Sequence, residues 1–232
     1  MKPDSALYIV SFLITALVFA TAVATSSFIN DRRLSQLQGI EDRISIDILS
    51  LETQFDLFEN ISCKDIEKNP ILSSELNKLA QRVDYTEKEL GSKDERVVDL
   101  KRQYSLLLIK DYVLMQRIEE KCNIKPVVAL YFYSNAGDCS ECEKTGYVLD
   151  YLRETYPELR VYAFDYNLDL PALRTLINIV GVKPTLPALV IQDTPYYGFM
   201  DKDTLLTNVP ALKQLEKMRI ASSTQATSTK KR

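Results

Sequence analysis

The stretch that decides the fold runs from Val127 to Cys142 and reads VVALYFYSNAGDCSEC. Its first half is apolar and rich in valine and aromatic residues, which is typical of a buried β-strand. Its second half is a short polar loop leading into Cys139 and Cys142, two thiols separated by two residues. Paired thiols where a strand passes into a helix predict a redox pair, because a helix N-terminus stabilises a thiolate. The two-residue spacer also lets the sulfurs form a disulfide with little backbone strain.

The residues that follow alternate between apolar strand-like runs and helical patterns. The predicted strands are Val127–Tyr133, Arg160–Phe164, Ala188–Gln192 and Tyr196–Phe199, and the predicted helices are Glu141–Thr155, Leu170–Val180 and Asp203–Met218. This alternation indicates βαβ units. We therefore expect an α/β domain over residues 124–220. The Ser, Thr and Lys content of residues 221–232 predicts a disordered tail.

This C-terminal region resembles the thioredoxin-like superfamily. The matching pieces occur in that family's order: an apolar strand, Cys139-Ser-Glu-Cys142 at a helix start, a second strand, a helix, and Pro187 before a third strand. The resemblance implies a mixed central sheet flanked by helices, with Cys139 as the exposed attacking thiol and Cys142 as the buried resolving thiol. It also implies that Pro187 is a cis-proline facing the disulfide. It covers under half of the chain and does not explain the N-terminal residues.

Several residues depart from the pattern of the family. The spacer is Ser-Glu, no Trp precedes the first thiol, and Tyr131 stands where thioredoxin keeps a buried carboxylate. Asp138, Glu141 and Glu143 add negative charge that opposes thiolate formation. These departures favour an alternative in which the domain is a non-catalytic binding or scaffolding module. A structural disulfide and a zinc knuckle are further alternatives for the Cys pair.

Residues 31–123 carry a helical, coiled-coil-like spacing of apolar residues. The stripe is formed by Leu37, Ile44, Ile48, Leu51, Phe55 and Phe58, and later by Val97, Leu100, Tyr104, Leu107, Leu108, Leu114 and Ile118. Asn60 to Pro70 interrupts the pattern, and Gly91 before Ser92 and Glu95 predicts a helix end followed by a capping box. We expect a helical stalk or small up-down-up bundle, with self-association through the stripe as the alternative role.

Residues 1–30 predict an N-terminal transmembrane anchor. No charged residue occurs from Ala6 to Ile29, a run of 24 residues, and about 20 suffice to cross a bilayer. A cleaved signal peptide is the alternative. Arg32 and Arg33 follow the run while Lys2 precedes it, so the positive-inside rule counted strictly favours a cytoplasmic C-terminal portion. A short tail with one lysine is also an ordinary start for a signal anchor, and on that ground we expect the C-terminal domain to be extracytoplasmic.

The composition excludes several classes of function. The 232 residues contain no His and no Trp, which excludes imidazole catalysis and histidine metal sites. Six glycines form no phosphate-binding loop, and a net charge of −3 gives no reason to expect nucleic acid as a partner. Among the four cysteines, Cys63 and Cys122 would lie at one pole of an up-down-up bundle, so they are either a disulfide or two free thiols.

The sequence thus predicts a membrane-anchored thiol–disulfide oxidoreductase. Its site residues are Cys139, Cys142 and Pro187, its partners are the membrane and proteins with thiols or disulfides, and it needs no cofactor and no metal. The alternative is the non-catalytic thioredoxin-like module at the membrane.

Overall fold

The computed structural model describes residues 5–59, 63, 71–122 and 126–229. They divide into two compact units, Met1–Leu49 and Ser50–Arg232. The helices are α1 (Ser5–Glu59), α2 (Ile71–Leu90), α3 (Glu95–Cys122), α4 (Cys142–Thr155), α5 (Pro171–Val180), α6 (Lys202–Asn208) and α7 (Pro210–Thr229). The strands are β1 (Val127–Tyr133), β2 (Leu159–Asp165), β3 (Ala188–Ile191) and β4 (Thr194–Tyr197).

The first unit consists of the N-terminal part of α1. Its stretch Val10–Ser27 is 18 residues long and apolar enough to cross a membrane, and none of it is buried within the protein. The hydroxyls of Thr15, Thr21 and Thr25 donate to helix carbonyls three or four residues earlier, so these side chains need no external partner in an apolar surrounding. The same length and composition would suit a signal sequence.

The second unit is built on a four-stranded sheet with the order β2-β1-β3-β4. β1 and β2 are parallel and in register from Val127 opposite Leu159 to Tyr133 opposite Asp165. β3 runs antiparallel to β1, and β4 runs antiparallel to β3. α4 connects the parallel pair, because parallel neighbours need a crossover connection. The expected mixed central sheet flanked by helices is therefore present.

Helices cover both faces of the sheet. Alternate residues of β1, including Ala129 and Tyr131, pack in one apolar cluster with side chains of α4, α6 and α7. On the opposite face Phe132 stacks on Phe164 with ring centroids 5.7 Å apart, and both side chains are fully buried. This alternation follows from the period of two along a strand. α3 lies against β2 and α5.

The α2–α3 hairpin packs on the sheet unit. Gly91 ends α2 with a φ of +89°, and its N–H donates to the Glu87 carbonyl, as the sequence predicted. The predicted capping box at Ser92 is wrong, because Asp94 is the N-cap of α3. Its carbonyl accepts from the Val98 N–H and its carboxylate from the Arg96 N–H, both at 3.0 Å. Asp is an equally good cap and lies nearer to the first helical residue.

The packing divides the chain differently from the expected anchor, stalk and α/β domain. Residues from Ser50 onward, including α2 and α3, belong to the same compact unit as the sheet, because the apolar faces of these helices are buried in it. The interruption expected from Asn60 to Pro70 lies outside the described residues, except for Cys63. α7 continues to Thr229, into the tail 221–232 for which disorder was predicted. Residues 221–229 are Ala, Ser, Thr and Gln, and none of them is a Gly or Pro that would break the helix.

Candidate functional site

The Cys139–Cys142 pair lies where β1 leads into α4. Cys142 is the first residue of α4, and Cys139 precedes it in the connecting loop. The two residues form a disulfide, with Cα atoms 5.5 Å apart. Cys139 is partly exposed, whereas Cys142 is only 5% exposed. Cys139 is therefore the more exposed of the two residues.

The start of α4 is held by backbone and side-chain contacts around Glu141. The Glu141 carbonyl accepts from the Thr145 N–H at 3.1 Å and from the Thr145 hydroxyl at 2.9 Å. The Glu141 carboxylate does not cap the helix and instead accepts from the Lys144 ammonium at 3.1 Å. The disulfide thus sits at the positive end of a 14-residue helix, where the helix dipole favours a thiolate.

The acidic side chains near the disulfide are each engaged by a donor. The Glu143 carboxylate accepts from the Tyr147 hydroxyl at 2.8 Å, and that hydrogen bond raises the pKa of Tyr147. Asp138 accepts from the Ser134 hydroxyl. The negative charge expected from the sequence is present, but Lys144 offsets part of it beside Glu141.

Tyr131 lies beneath the start of α4. Its hydroxyl donates to the Cys142 carbonyl at 2.6 Å, and the residue is 5% exposed. Burial raises the pKa of this phenol well above its usual range, so the side chain stays neutral and acts as a hydrogen-bond donor. A neutral phenol held in this way supplies a fixed contact to the helix and not a proton acceptor.

Pro187 stands at the same end of the sheet as the cysteine pair. The register places Ala188, the next residue, opposite Phe132 near the end of β1. The Leu186–Pro187 peptide is cis, and the Pro187 carbonyl accepts from the Gly198 N–H at 2.8 Å. The fold therefore brings Pro187, Cys139 and Cys142 to one edge of the sheet from positions up to 48 residues apart in the sequence.

A buried charged cluster adjoins this edge, and sequence reasoning did not identify it. The Lys101 ammonium lies 2.7 Å from Glu87 and 3.4 Å from Asp165, and Glu87 also accepts from Asn135 in the loop before Cys139. One signal for it was available: Lys101 follows Val97 by four residues and precedes Tyr104 by three, so it lies on the apolar face of a helix.

The second cysteine pair is also bridged. Cys63 and Cys122 form a disulfide with Cα atoms 5.5 Å apart. Cys122 ends α3 and precedes β1, whereas Cys139 follows β1, so a strand of seven residues lies between them. At ~3.3 Å per residue the two disulfides are too far apart for direct exchange. Within the described ranges no group of three or more acidic or thiol side chains is placed to hold a metal ion.

Comparisons with known proteins give little further information. No protein-family profile matches the sequence, and no curated protein matches it either. A solved structure described as that of a malarial protein is similar to part of the chain, with 19% identity and a TM-score of 0.31. The match covers 41% of this chain and 98% of the other. A similarity of that size carries no conclusion about function.

Proposed function

We propose that this protein is a membrane-anchored thiol–disulfide oxidoreductase whose Ser50–Arg232 unit contains a thioredoxin-like domain. The observation that carries the proposal is the Cys139–Cys142 disulfide at the N-terminus of α4, with Cys139 partly exposed and Cys142 buried. The strand order β2-β1-β3-β4, with only β1 and β2 parallel, supports the domain assignment. So does the position of Pro187 at the same sheet edge.

The reaction is an exchange of one disulfide for another. A thiolate of a partner protein attacks Cys139 Sγ, the Cys139–Cys142 bond breaks, and Cys142 leaves as a thiolate that takes up a proton. A second partner thiolate then attacks the mixed disulfide and releases the Cys139 thiolate. Two electrons pass from the partner's thiols to the cysteine pair, and the partner is left with a disulfide. In the reverse direction Cys139 attacks a partner disulfide and Cys142 resolves the intermediate.

The environment of the two sulfurs suits these different roles. Cys139 is partly exposed, so a folded partner can reach its sulfur. Cys142 is only 5% exposed, which suits a thiol that reacts within the protein, with Cys139. The partners are therefore proteins with accessible thiols or disulfides, and the reaction requires no dissociable cofactor.

The proposed location is a membrane, with the C-terminal unit on the extracytoplasmic side. Val10–Ser27 can span a bilayer. Two disulfides among the described residues support an oxidising compartment, because reducing compartments rarely keep a structural disulfide. Protease added to intact cells should digest residues 50–232 and leave a membrane-embedded fragment. Protection of this region until the membrane is permeabilised would contradict this orientation and place the C-terminal unit on the cytoplasmic side.

One observation favours a second candidate, a non-catalytic module that binds a partner at the membrane. Tyr131 donates to the Cys142 carbonyl where a proton acceptor for the resolving thiol would be expected. Without such an acceptor, deprotonation of Cys142 depends on solvent or on the partner. The second candidate predicts that the pair stays closed as a structural disulfide.

A redox titration of the full-length protein in detergent separates the two candidates. The protein is equilibrated in glutathione buffers, its thiols are alkylated, and each cysteine pair is read separately by mass spectrometry. Reversible opening of Cys139–Cys142 between roughly −120 and −300 mV supports the oxidoreductase. A pair that never opens in this range contradicts it and favours the binding module.

Single cysteine variants then test the assigned roles. Cys142→Ser should accumulate mixed disulfides with partner proteins, because the resolving thiol is absent, whereas Cys139→Ser should accumulate none. The double variant Cys63→Ala/Cys122→Ala is the matched control and should retain exchange activity. Equal trapping by both single variants would contradict the assignment of Cys139 as the attacking residue.

A further inference from the structure

Lys101 is a charged residue at an interior position of α3. It is 5% exposed, and lysine is almost never buried to this degree unless it is paired. Its ammonium lies 2.7 Å from Glu87 of α2 and 3.4 Å from Asp165 at the end of β2. It also lies 5.9 Å from the centroid of the Tyr133 ring. The positive charge is thus held between two carboxylates and an aromatic face where β1 and β2 end.

Glu87 links this cluster to the loop that carries the redox pair. One oxygen of its carboxylate, Oε1, accepts from Lys101 and also from the Asn135 side-chain amide, each at 2.7 Å. Asn135 is the second residue after β1 and precedes Cys139 by four residues. Since Lys101 holds the Glu87 carboxylate in place, the hairpin presents a fixed acceptor to the loop.

The remainder of the loop is tied to the end of β2. The Asn167 amide donates to the Ser134 hydroxyl at 2.7 Å. That hydroxyl in turn donates to Asp138, the residue before Cys139, and accepts from the Ala136 N–H. The backbone leading into Cys139 is therefore held from two sides. Asn167, just after β2, holds Ser134, and Glu87 of the α2–α3 hairpin holds Asn135.

We infer that Lys101, Glu87 and Asn135 are positioning residues for disulfide exchange at Cys139–Cys142. This inference rests on the proposed function. When the disulfide is open, the short backbone between Cys139 and Cys142 keeps the two thiols close, and non-covalent contacts of the loop narrow the range of positions that the Cys139 sulfur visits. The effective concentration of one thiol at the other then sets how readily the bond closes. In the closed form the covalent bond holds the sulfurs whether or not the loop is tied. Loosening the loop therefore favours the dithiol and moves the reduction potential to less negative values.

The test is the glutathione titration of full-length Asn135→Ala and Glu87→Ala in detergent. Closing the pair oxidises its two thiols to a disulfide and reduces glutathione disulfide to two glutathione molecules. A hydrogen bond to a charged group is worth about a factor of ten in an equilibrium constant. Only the part of this free energy that differs between the open and closed forms moves the equilibrium, so we expect each variant to close less favourably by up to about tenfold, a shift of up to about 30 mV. Asn135 is exposed, so its variant leaves the Lys101 cluster intact and retains the fold.

The matched control is Glu75→Ala, which removes another glutamate of α2. Glu75 is partly exposed and pairs at 2.6 Å with an exposed lysine, Lys78. It should leave the potential unchanged, and the double variant Glu87→Ala/Asn135→Ala should shift it no more than the larger single shift. Equilibrium constants for closing that lie within twofold of wild type in both single variants, or an equal shift in the control, would overturn the inference. A wild-type pair that does not cycle would overturn the proposed function as well, so the two failures are distinguishable.

Discussion

The disulfide between Cys63 and Cys122 should contribute more to stability than the disulfide of the redox motif. It joins residue 63 to the last residue of α3 and lies at the opposite end of β1 from Cys139. The perturbation is the double variant Cys63→Ala/Cys122→Ala, which removes the bridge and leaves no unpaired thiol. Both cysteines are partly exposed, so the alanines leave no cavity in the core.

The magnitude follows from the lengths of the two loops that the disulfides close. The Cys63–Cys122 bridge spans a sequence separation of 59 residues, for which loop-closure entropy corresponds to about 4 kcal/mol at 25 °C. The Cys139–Cys142 bridge spans a separation of 3 residues, for which the same relation gives about 1.6 kcal/mol. We therefore expect the free energy of unfolding to fall by about 4 kcal/mol in the first variant, more than twice the loss in Cys139→Ala/Cys142→Ala.

Urea unfolding of the full-length protein in detergent, followed by tyrosine fluorescence, measures both losses. The chain has thirteen tyrosines and no tryptophan, and every tyrosine except Tyr8 lies beyond Ser50. The signal therefore reports on the sheet-containing unit and not on the apolar segment. The free energy of unfolding should also fall more steeply with urea concentration without the Cys63–Cys122 bridge, because the unlinked unfolded chain exposes more surface.

Two results would refute the reasoning. The first is a loss for Cys63→Ala/Cys122→Ala no greater than that for the motif variant, which would mean that the long loop is already constrained in the unfolded state. The second is an unchanged slope of the unfolding free energy against urea concentration, which would mean that the bridge does not restrict the unfolded chain. Wild-type protein with alkylation-verified disulfides is the reference for both.

Three further predictions concern buried side chains, each measured by the same unfolding experiment. Burial raises the pKa of Asp111 despite Arg160 beside it. Between the ordinary carboxyl pKa of about 4 and the raised pKa of the folded state, the folded state therefore binds more protons than the unfolded state, and stability falls as pH rises. Asp111→Asn should remove that slope, and an unchanged slope would contradict the assignment. Phe132→Ala, at a fully buried site, should cost about 3–5 kcal/mol, and a loss under about 1 kcal/mol would mean that the site repacks. Tyr131→Phe should cost about 1 kcal/mol by removing the hydrogen bond to Cys142, and a neutral result would mean that this bond adds nothing to stability.

Local features of the fold were predictable from the sequence. Val127–Tyr133 was predicted as a strand and is β1 with the same bounds, because a run of β-branched and aromatic residues suits a buried strand. Gly91 was predicted to end a helix and does so with a positive φ. The second and third predicted strands match β2 and β3 to within one residue. These features depend on neighbouring residues and on turn chemistry.

The candidate site was predictable only in part. The spacing of Cys139 and Cys142 marks the pair, since two thiols within one turn need no distant contact to meet. The Glu87–Asn135 hydrogen bond joins residues 48 positions apart, and no pattern in the sequence specifies it. The hydrogen bond from Tyr131 to Cys142 was missed because an aromatic residue on a buried strand is explained equally well by core packing.

The sequence by itself determined the elements whose signal is local: the apolar span near the N-terminus, the helices, the strands and the closely spaced cysteine pair. Only the tertiary structure decided that the α2–α3 hairpin packs with the sheet and that Cys63 pairs with Cys122. It also decided that Lys101 and Glu87 reach the loop before Cys139. The physical reason is that helix periodicity shows which face of an element is buried but not which partner buries it. That partner depends on how all the elements fill the space between them.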